Sequence, residues 1–312
     1  MRSAVAHRIR PRALAGCAVA VAVLAGTSAC STASSDTSDG SASGKGASGK
    51  VIQIVAAENF WGSIAQQLGG SHVHVKSIID NPAADGRAVA TARYTIVNGI
   101  GYDAWADKLL SANPGGDRAE LKIGDLVGLR PGGNPHRWYA PADVHKVIEK
   151  ITADYKKIAP ADAAYFDARK KAFEATTLAP YSRLVSDIKP TYTGTPVGAS
   201  ESIVTPLAQG LGLKMATPES FLDAISEGTD PTAKDKTAID QQIKNKKIKI
   251  YVYNSQNSTP DVRAQVTEAK AAGIPVATVT ETLTPAGASF QDWQVRQLKG
   301  IRKALAEATG KK

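Results

Sequence analysis

Hydrophobic and polar positions along residues 51–309 switch repeatedly between two periods. Short apolar runs rich in β-branched residues, "VIQIVAA" (51–57), "VHVKSII" (73–79) and "YTIVNGIG" (94–101), predict buried strands. Around them, "FWGSIAQQLGG" (60–70) and "YDAWADKLLSAN" (102–113) carry apolar residues at helical spacing. This alternation is the rhythm of a mainly parallel sheet covered by helices.

A long helical zone follows, "PADVHKVIEKITADYKKIAP" and then "ADAAYFDARKKAFEATTLAPYSRLVSDIK". The second stretch predicts a helical strut over 161–189, kinked near Thr176 because Pro180 removes one backbone hydrogen bond. The alternation then resumes. "TPVGAS", "KIKIYVYN" and "IPVATVT" predict strands, and "IVTPLAQGLGL", "TPDVRAQVTEAKAAG" and "FQDWQVRQLKGIRKALAEA" predict helices. The pattern divides the folded part into an α/β lobe over 51–160, a linking helix over 161–189 and a second α/β lobe over 190–312.

The first 50 residues read differently. "MRSAVAHRIRPR" is basic, "ALAGCAVAVAVLAGTSAC" is apolar, and "STASSDTSDGSASGKGASGK" is a Ser/Gly tether with too little apolar surface to fold. The apolar run is shorter than the roughly 20 residues of a membrane span, so residues 1–30 are expected to be a secretory signal. Cys17 and Cys30 are the only cysteines. Cys30, at the end of the apolar run, resembles the acylated cysteine of a bacterial lipobox. The expected location is therefore the extracytoplasmic face of the cell membrane, anchored through Cys30. No cysteine pair remains for a disulfide or a catalytic thiol.

Composition narrows the function. With aromatics at only 6%, the core is expected to consist mainly of Ala, Val, Ile and Leu. The net charge of +9 includes four arginines of the signal; 34 basic residues then face 29 acidic ones. The lysines are scattered, without a basic stripe interleaved with aromatics, so nucleic acid is not an expected partner. "GASES" around Ser200 approaches a nucleophile elbow, but no histidine follows His145, which rules out that chain order. Neither G-x-G-x-x-G after a strand nor a P-loop occurs. No enzyme is indicated.

In open parallel sheets, ligands bind beyond the carboxyl ends of the strands. Glu201 follows "TPVGAS", Glu281 follows "IPVATVT", Glu58 follows "VIQIVAA", and Asp85 lies in "NPAADGRA" after "VHVKSII". His136 stands in the Gly/Pro-rich loop "GGNPHRWYAP". Any one such acid could simply cap a helix. Carboxylates and a neutral imidazole facing one cleft would suit Zn²⁺ or Mn²⁺. His72 and His74 alternate at the start of a strand and predict an exposed pair; His145 lies in a helix among lysines.

The phrases "VAAENFWGSIAQQLGG", "IVNGIGYDAWADKLL", "NPHRWYAPADV", "PADAAYFDARKKAF" and "VTETLTPAGASFQDWQ" together resemble the metal-binding lipoproteins of bacterial zinc and manganese ABC importers. The resemblance covers residues 51–309. It implies two Rossmann-like lobes joined by a long rigid helix, a monomer that delivers Zn²⁺ or Mn²⁺ to an ABC permease, and a metal site between the lobes. Metal ligands are implied at His136, Glu201 and Glu281. The family's further first-lobe histidine has no counterpart, because the chain passes from Asp85 directly to Gly86 and Arg87. Asp85 or Glu58 would have to replace it. Otherwise the chain is a surface interaction lipoprotein with a degenerate metal site.

Overall fold

The β-branched and aromatic runs form two parallel sheets in a computed structural model, which describes residues 50–78 and 86–311. The first contains β1 (Ile52–Ala56), β2 (Val73–Ser77), β3 (Tyr94–Val97) and β4 (Ala119–Lys122), in the order β2-β1-β3-β4. The second contains β5 (Pro196–Ala199), β6 (Lys214–Met215), β7 (Ile250–Asn254) and β8 (Val276–Val279), in the order β6-β5-β7-β8. The two halves therefore share one topology without a visible sequence repeat. Central β3 is buried at all four positions, as expected for a strand covered on both faces, whereas edge strand β2 leaves His74 and Lys76 exposed.

Twelve α-helices connect and cover the strands among the described residues. In the first half these are α1 (Asn59–Gly69), α2 (Gly86–Thr91), α3 (Ala104–Ala112), α4 (Ile123–Val127) and α5 (Pro141–Ile158). Next come α6 (Ala163–Ala172) and α7 (Ala179–Tyr192). The second half has α8 (Thr205–Gly210), α9 (Glu219–Ser226), α10 (Ala233–Lys244), α11 (Pro260–Ala271) and α12 (Phe290–Thr309). In α12, Phe290, Trp293, Leu298, Ile301 and Leu305 recur at helical spacing and are buried. Its start is capped by the Ser289 hydroxyl, which accepts from the Asp292 N–H. Gly310 ends it in a left-handed conformation at φ 69°.

The predicted single strut over 161–189 is broken. α6 runs into a π-helical turn at Phe173–Thr177, where the Leu178 N–H bonds the Phe173 carbonyl at 2.7 Å, and α7 begins at Ala179. Pro180 has no N–H to return to Thr176, so it occupies the first turn of a new helix instead of the middle of an old one.

One continuous apolar cluster runs from Ile54 and Phe60 through Trp138, Val147 and Tyr181 to Val197, Tyr251, Phe290 and Trp293, joining both sheets. Its members are mostly Ala, Val, Ile and Leu, in line with the composition, and a few aromatics meet where the two sheets adjoin. Phe60 stacks on Trp138 at 4.1 Å, and Trp293 lies 6.3 Å from Phe60 and 5.6 Å from Tyr139. These aromatics bridge the two halves, each contributing roughly 1.5–3 kcal/mol by burial. Hydrogen bonds cross the same seam. The Tyr139 hydroxyl lies 2.8 Å from the Thr280 carbonyl and 2.7 Å from Gln297 Oε1, and the Phe290 N–H donates to Ser63 Oγ at 2.9 Å. Among the described residues, no helix is long and apolar enough to cross a membrane.

Candidate metal centre

Three of the residues singled out by sequence, two strand-end acids and one loop histidine, face one cavity. His136, Glu201 and Glu281 all line a cleft of about 630 Å³, together with Tyr102, Asn134, Asn254 and Asn257. Each reaches it by a different local device.

His136 precedes a 3₁₀ turn at Arg137–Tyr139 that leads into α5. Its loop is pinned to the end of β3. The Trp61 indole N–H donates to Asn98 Oδ1 at 3.0 Å, which turns the Asn98 amide N–H toward the Pro135 carbonyl, also at 3.0 Å. His136 is 5% exposed, and its imidazole stands edge-on to Tyr102 and Trp138, with ring centres 6.1 and 5.2 Å away. Asn134 Oδ1 lies 3.0 Å from both the His136 backbone nitrogen and Nδ1.

Glu201 follows β5 in extended conformation and is 2% exposed. Its Oε2 accepts from Asn257 Nδ2 at 2.6 Å, but its buried Oε1 has no hydrogen-bond partner. Burial pushes this carboxyl above its ordinary range. The Asn254 and Asn257 amides oppose that shift, Glu281 adds to it, and His136 opposes it.

Glu281 follows β8 and Thr280. Its Oε1 accepts from the Tyr102 hydroxyl at 2.8 Å and stands 3.4 Å from His136 Nε2, while its Oε2 accepts from Asn254 Nδ2 at 3.2 Å. Tyr102 itself is delivered by a strained loop. Gly99, Ile100 and Gly101 all have positive φ, including 62° at the β-branched Ile100, which costs about 1–3 kcal/mol. The Asp103 carboxylate holds the bend by accepting from the Asn98 and Gly99 N–H groups at 2.6 and 2.7 Å.

Glu58 is buried after β1 but does not form part of the cavity wall, and one of its carboxylate oxygens has no partner. Burial, reinforced by the charges of Asp103 and Glu281, pushes its pKa up to about 8. Asp85 and Cys30 lie outside the described residues. Among the described residues, no three His, Cys, Asp or Glu side chains form a ready-made metal cage. His72 is not part of an exposed pair: it stacks on Tyr165 at 3.8 Å and reaches Asp162 at 3.2 Å, leaving only His74 open.

Sequence reasoning missed Tyr102, Asn134, Asn254 and Asn257, the neutral groups that hold the three ionisable ones. A carboxamide or phenol in a loop has no diagnostic spacing. Only "NPH", which places Asn134 two residues before His136, offered a local signal.

A sequence profile of the zinc-uptake complex component A periplasmic proteins matches residues 54–304. The chain belongs to this family. No curated protein sequence matches it. Among solved structures, the Mn-bound periplasmic metal binding protein of Candidatus Liberibacter asiaticus is 18% identical with a TM-score of 0.67, over 81% of this chain and 98% of that one. Its Cd-bound form matches over the same shares at a TM-score of 0.66. The SBP FpvC of P. aeruginosa, in complex with Ni²⁺ ion, is 18% identical with a TM-score of 0.67, over 83% of this chain and 98% of that one. At such identity the structures establish the fold, the metal-type periplasmic-binding-protein architecture. Family membership supplies the context of a metal-uptake receptor.

Proposed function

We propose that this protein captures a divalent metal ion outside the cytoplasmic membrane and passes it to an ABC permease, with His136, Glu201 and Glu281 as ligands. The observation that carries this reading is the 3.4 Å separation of His136 Nε2 and Glu281 Oε1. Zn²⁺ with ligands at about 2.0–2.1 Å in tetrahedral geometry requires an N···O edge of about 3.3–3.4 Å. The partnerless Oε1 of Glu201 supplies a third donor, and two carboxylates with a neutral imidazole balance a doubly charged ion. Water would complete the four-coordinate set. The protein performs no covalent chemistry; its function lies in affinity, selectivity and release. A proton competes with the metal for the gap between Nε2 and Oε1, so affinity is expected to fall as pH falls.

The tether and acylated Cys30 would hold this receptor at the membrane surface as a monomer. A second reading, a surface interaction lipoprotein with a degenerate metal site, draws support from the incomplete cage among the described residues. Calorimetric titration of the chelator-stripped protein with Zn²⁺ and then Mn²⁺ separates the two. The receptor reading expects one sub-micromolar site per chain, lost when His136 and Glu201 are both changed to Ala while the fold persists. A folded protein that binds neither metal would establish the second reading instead.

A further inference from the structure

The Asn134 carboxamide has a single permitted orientation. Its Nδ2 stands 2.7 Å from the backbone carbonyl of Ser202. A carbonyl oxygen only accepts, so the NH₂ end of the amide must face it. The amide oxygen is thereby turned toward His136, where it receives the backbone N–H at 3.0 Å and faces Nδ1 at 3.0 Å. That oxygen carries no hydrogen, so the ring nitrogen must provide one. An imidazole protonated at Nδ1 and neutral overall has a bare lone pair on Nε2, the nitrogen directed at Glu281. The ring is almost fully buried between Tyr102 and Trp138 and has little freedom to turn away.

The same amide spans the molecule's two halves. Ser202 directly follows Glu201, and the Ser226 hydroxyl fixes its position by accepting from the Ser202 N–H at 3.0 Å. Asn134 therefore connects the loop bearing one proposed ligand to the segment bearing another.

We infer that Asn134 is a positioning residue for metal capture: one carboxamide selects the Nδ1–H tautomer of His136 and sets the separation between the His136 loop and Glu201. Its role in binding rests on the receptor reading above; the tautomer it imposes does not. An Asp at this position would keep the acceptor for His136 but place a carboxylate oxygen against the Ser202 carbonyl. A Leu would lose both functions.

The test uses the full-length, ¹⁵N-labelled, metal-free protein at about pH 8, above the ordinary histidine range. Long-range ¹H–¹⁵N correlation reads the tautomer of each imidazole, with a His136→Asn spectrum for assignment. The wild type is expected to show His136 protonated at Nδ1 and bare at Nε2. Asn134→Leu is expected to move the ring toward the Nε2–H form and to weaken Zn²⁺ binding about 10–100-fold. Asn134→Asp is expected to keep the wild-type tautomer and bind with intermediate affinity, a split that a general loss of folding would not produce. An Nε2–H wild type overturns the inference, as does an Asn134→Leu protein with wild-type tautomer and affinity. A wild type that binds neither Zn²⁺ nor Mn²⁺ overturns the receptor reading, and Asn134's role in capture falls with it.

Discussion

Glu58 illustrates how much a single side chain can store. Its folded-state pKa of about 8 lies well above the ordinary 4.5, with burial as the largest cause. The folded protein therefore holds a proton that the unfolded chain releases at lower pH. Stability of the metal-free protein is greatest below about pH 4.5 as far as this group is concerned, and it drains away as pH rises toward 8. At about 1.4 kcal/mol per pH unit, the loss amounts to a few kcal/mol. Glu58→Gln, which is neutral at every pH, is expected to raise the melting temperature at pH 8 and to flatten its decline above pH 5. Equal pH dependence in both proteins would refute this. At this scale, sequence was most informative about charged groups. Glu201 and Glu281 stood out in the sequence as acids at strand ends, and His136 as a histidine in a Gly/Pro-rich loop; all three face the cleft. The amides and the phenol around them did not stand out, because their value lies entirely in what they touch.

Secondary-structure elements show where pattern reading succeeds and where it fails. The strands β1, β3, β5 and β7 were visible as apolar runs, since a strand covered on both faces leaves a nearly continuous hydrophobic signature. β4, with only Leu121 buried, and the two-residue β6 left too little pattern to detect. α12 does more than its amphipathic pattern suggested. Gln297 on this helix accepts from the Thr280 N–H at 2.8 Å, and the Trp293 indole donates to Thr280 Oγ1 at 2.7 Å. The helix thus holds the residue immediately before Glu281. Gln297→Leu would leave the half-buried Thr280 N–H without its acceptor, and a destabilisation of about 1–2 kcal/mol is expected in urea unfolding. A midpoint unchanged from wild type would show that Gln297 carries no such load.

Across the whole molecule, the shared aromatic core matters more than the division into two sheets. Sequence alternation predicted two α/β lobes and the strands form two four-stranded sheets, but no periodicity could reveal that Phe60, Trp138 and Trp293 would lie in one shared core. Halves with separate cores would be expected to unfold in steps and to close around a ligand by hinge motion. A continuous core instead predicts one calorimetric transition, with equal van't Hoff and calorimetric enthalpies. It also predicts nearly identical solution scattering with and without metal. Two resolved transitions would show that the seam is weaker than its packing implies.

The edge-on contact between His136 and the buried Trp138, at 5.2 Å, also makes the cleft self-reporting. An indole's emission responds to charge and rigidity in the ring beside it. Arrival of a cation at His136 should therefore change the protein's ultraviolet fluorescence without any attached dye. Trp138→Phe should silence that signal while leaving the calorimetric isotherm in place. Metal loading would then be measurable optically on a millisecond timescale, including the moment when a permease removes the ion.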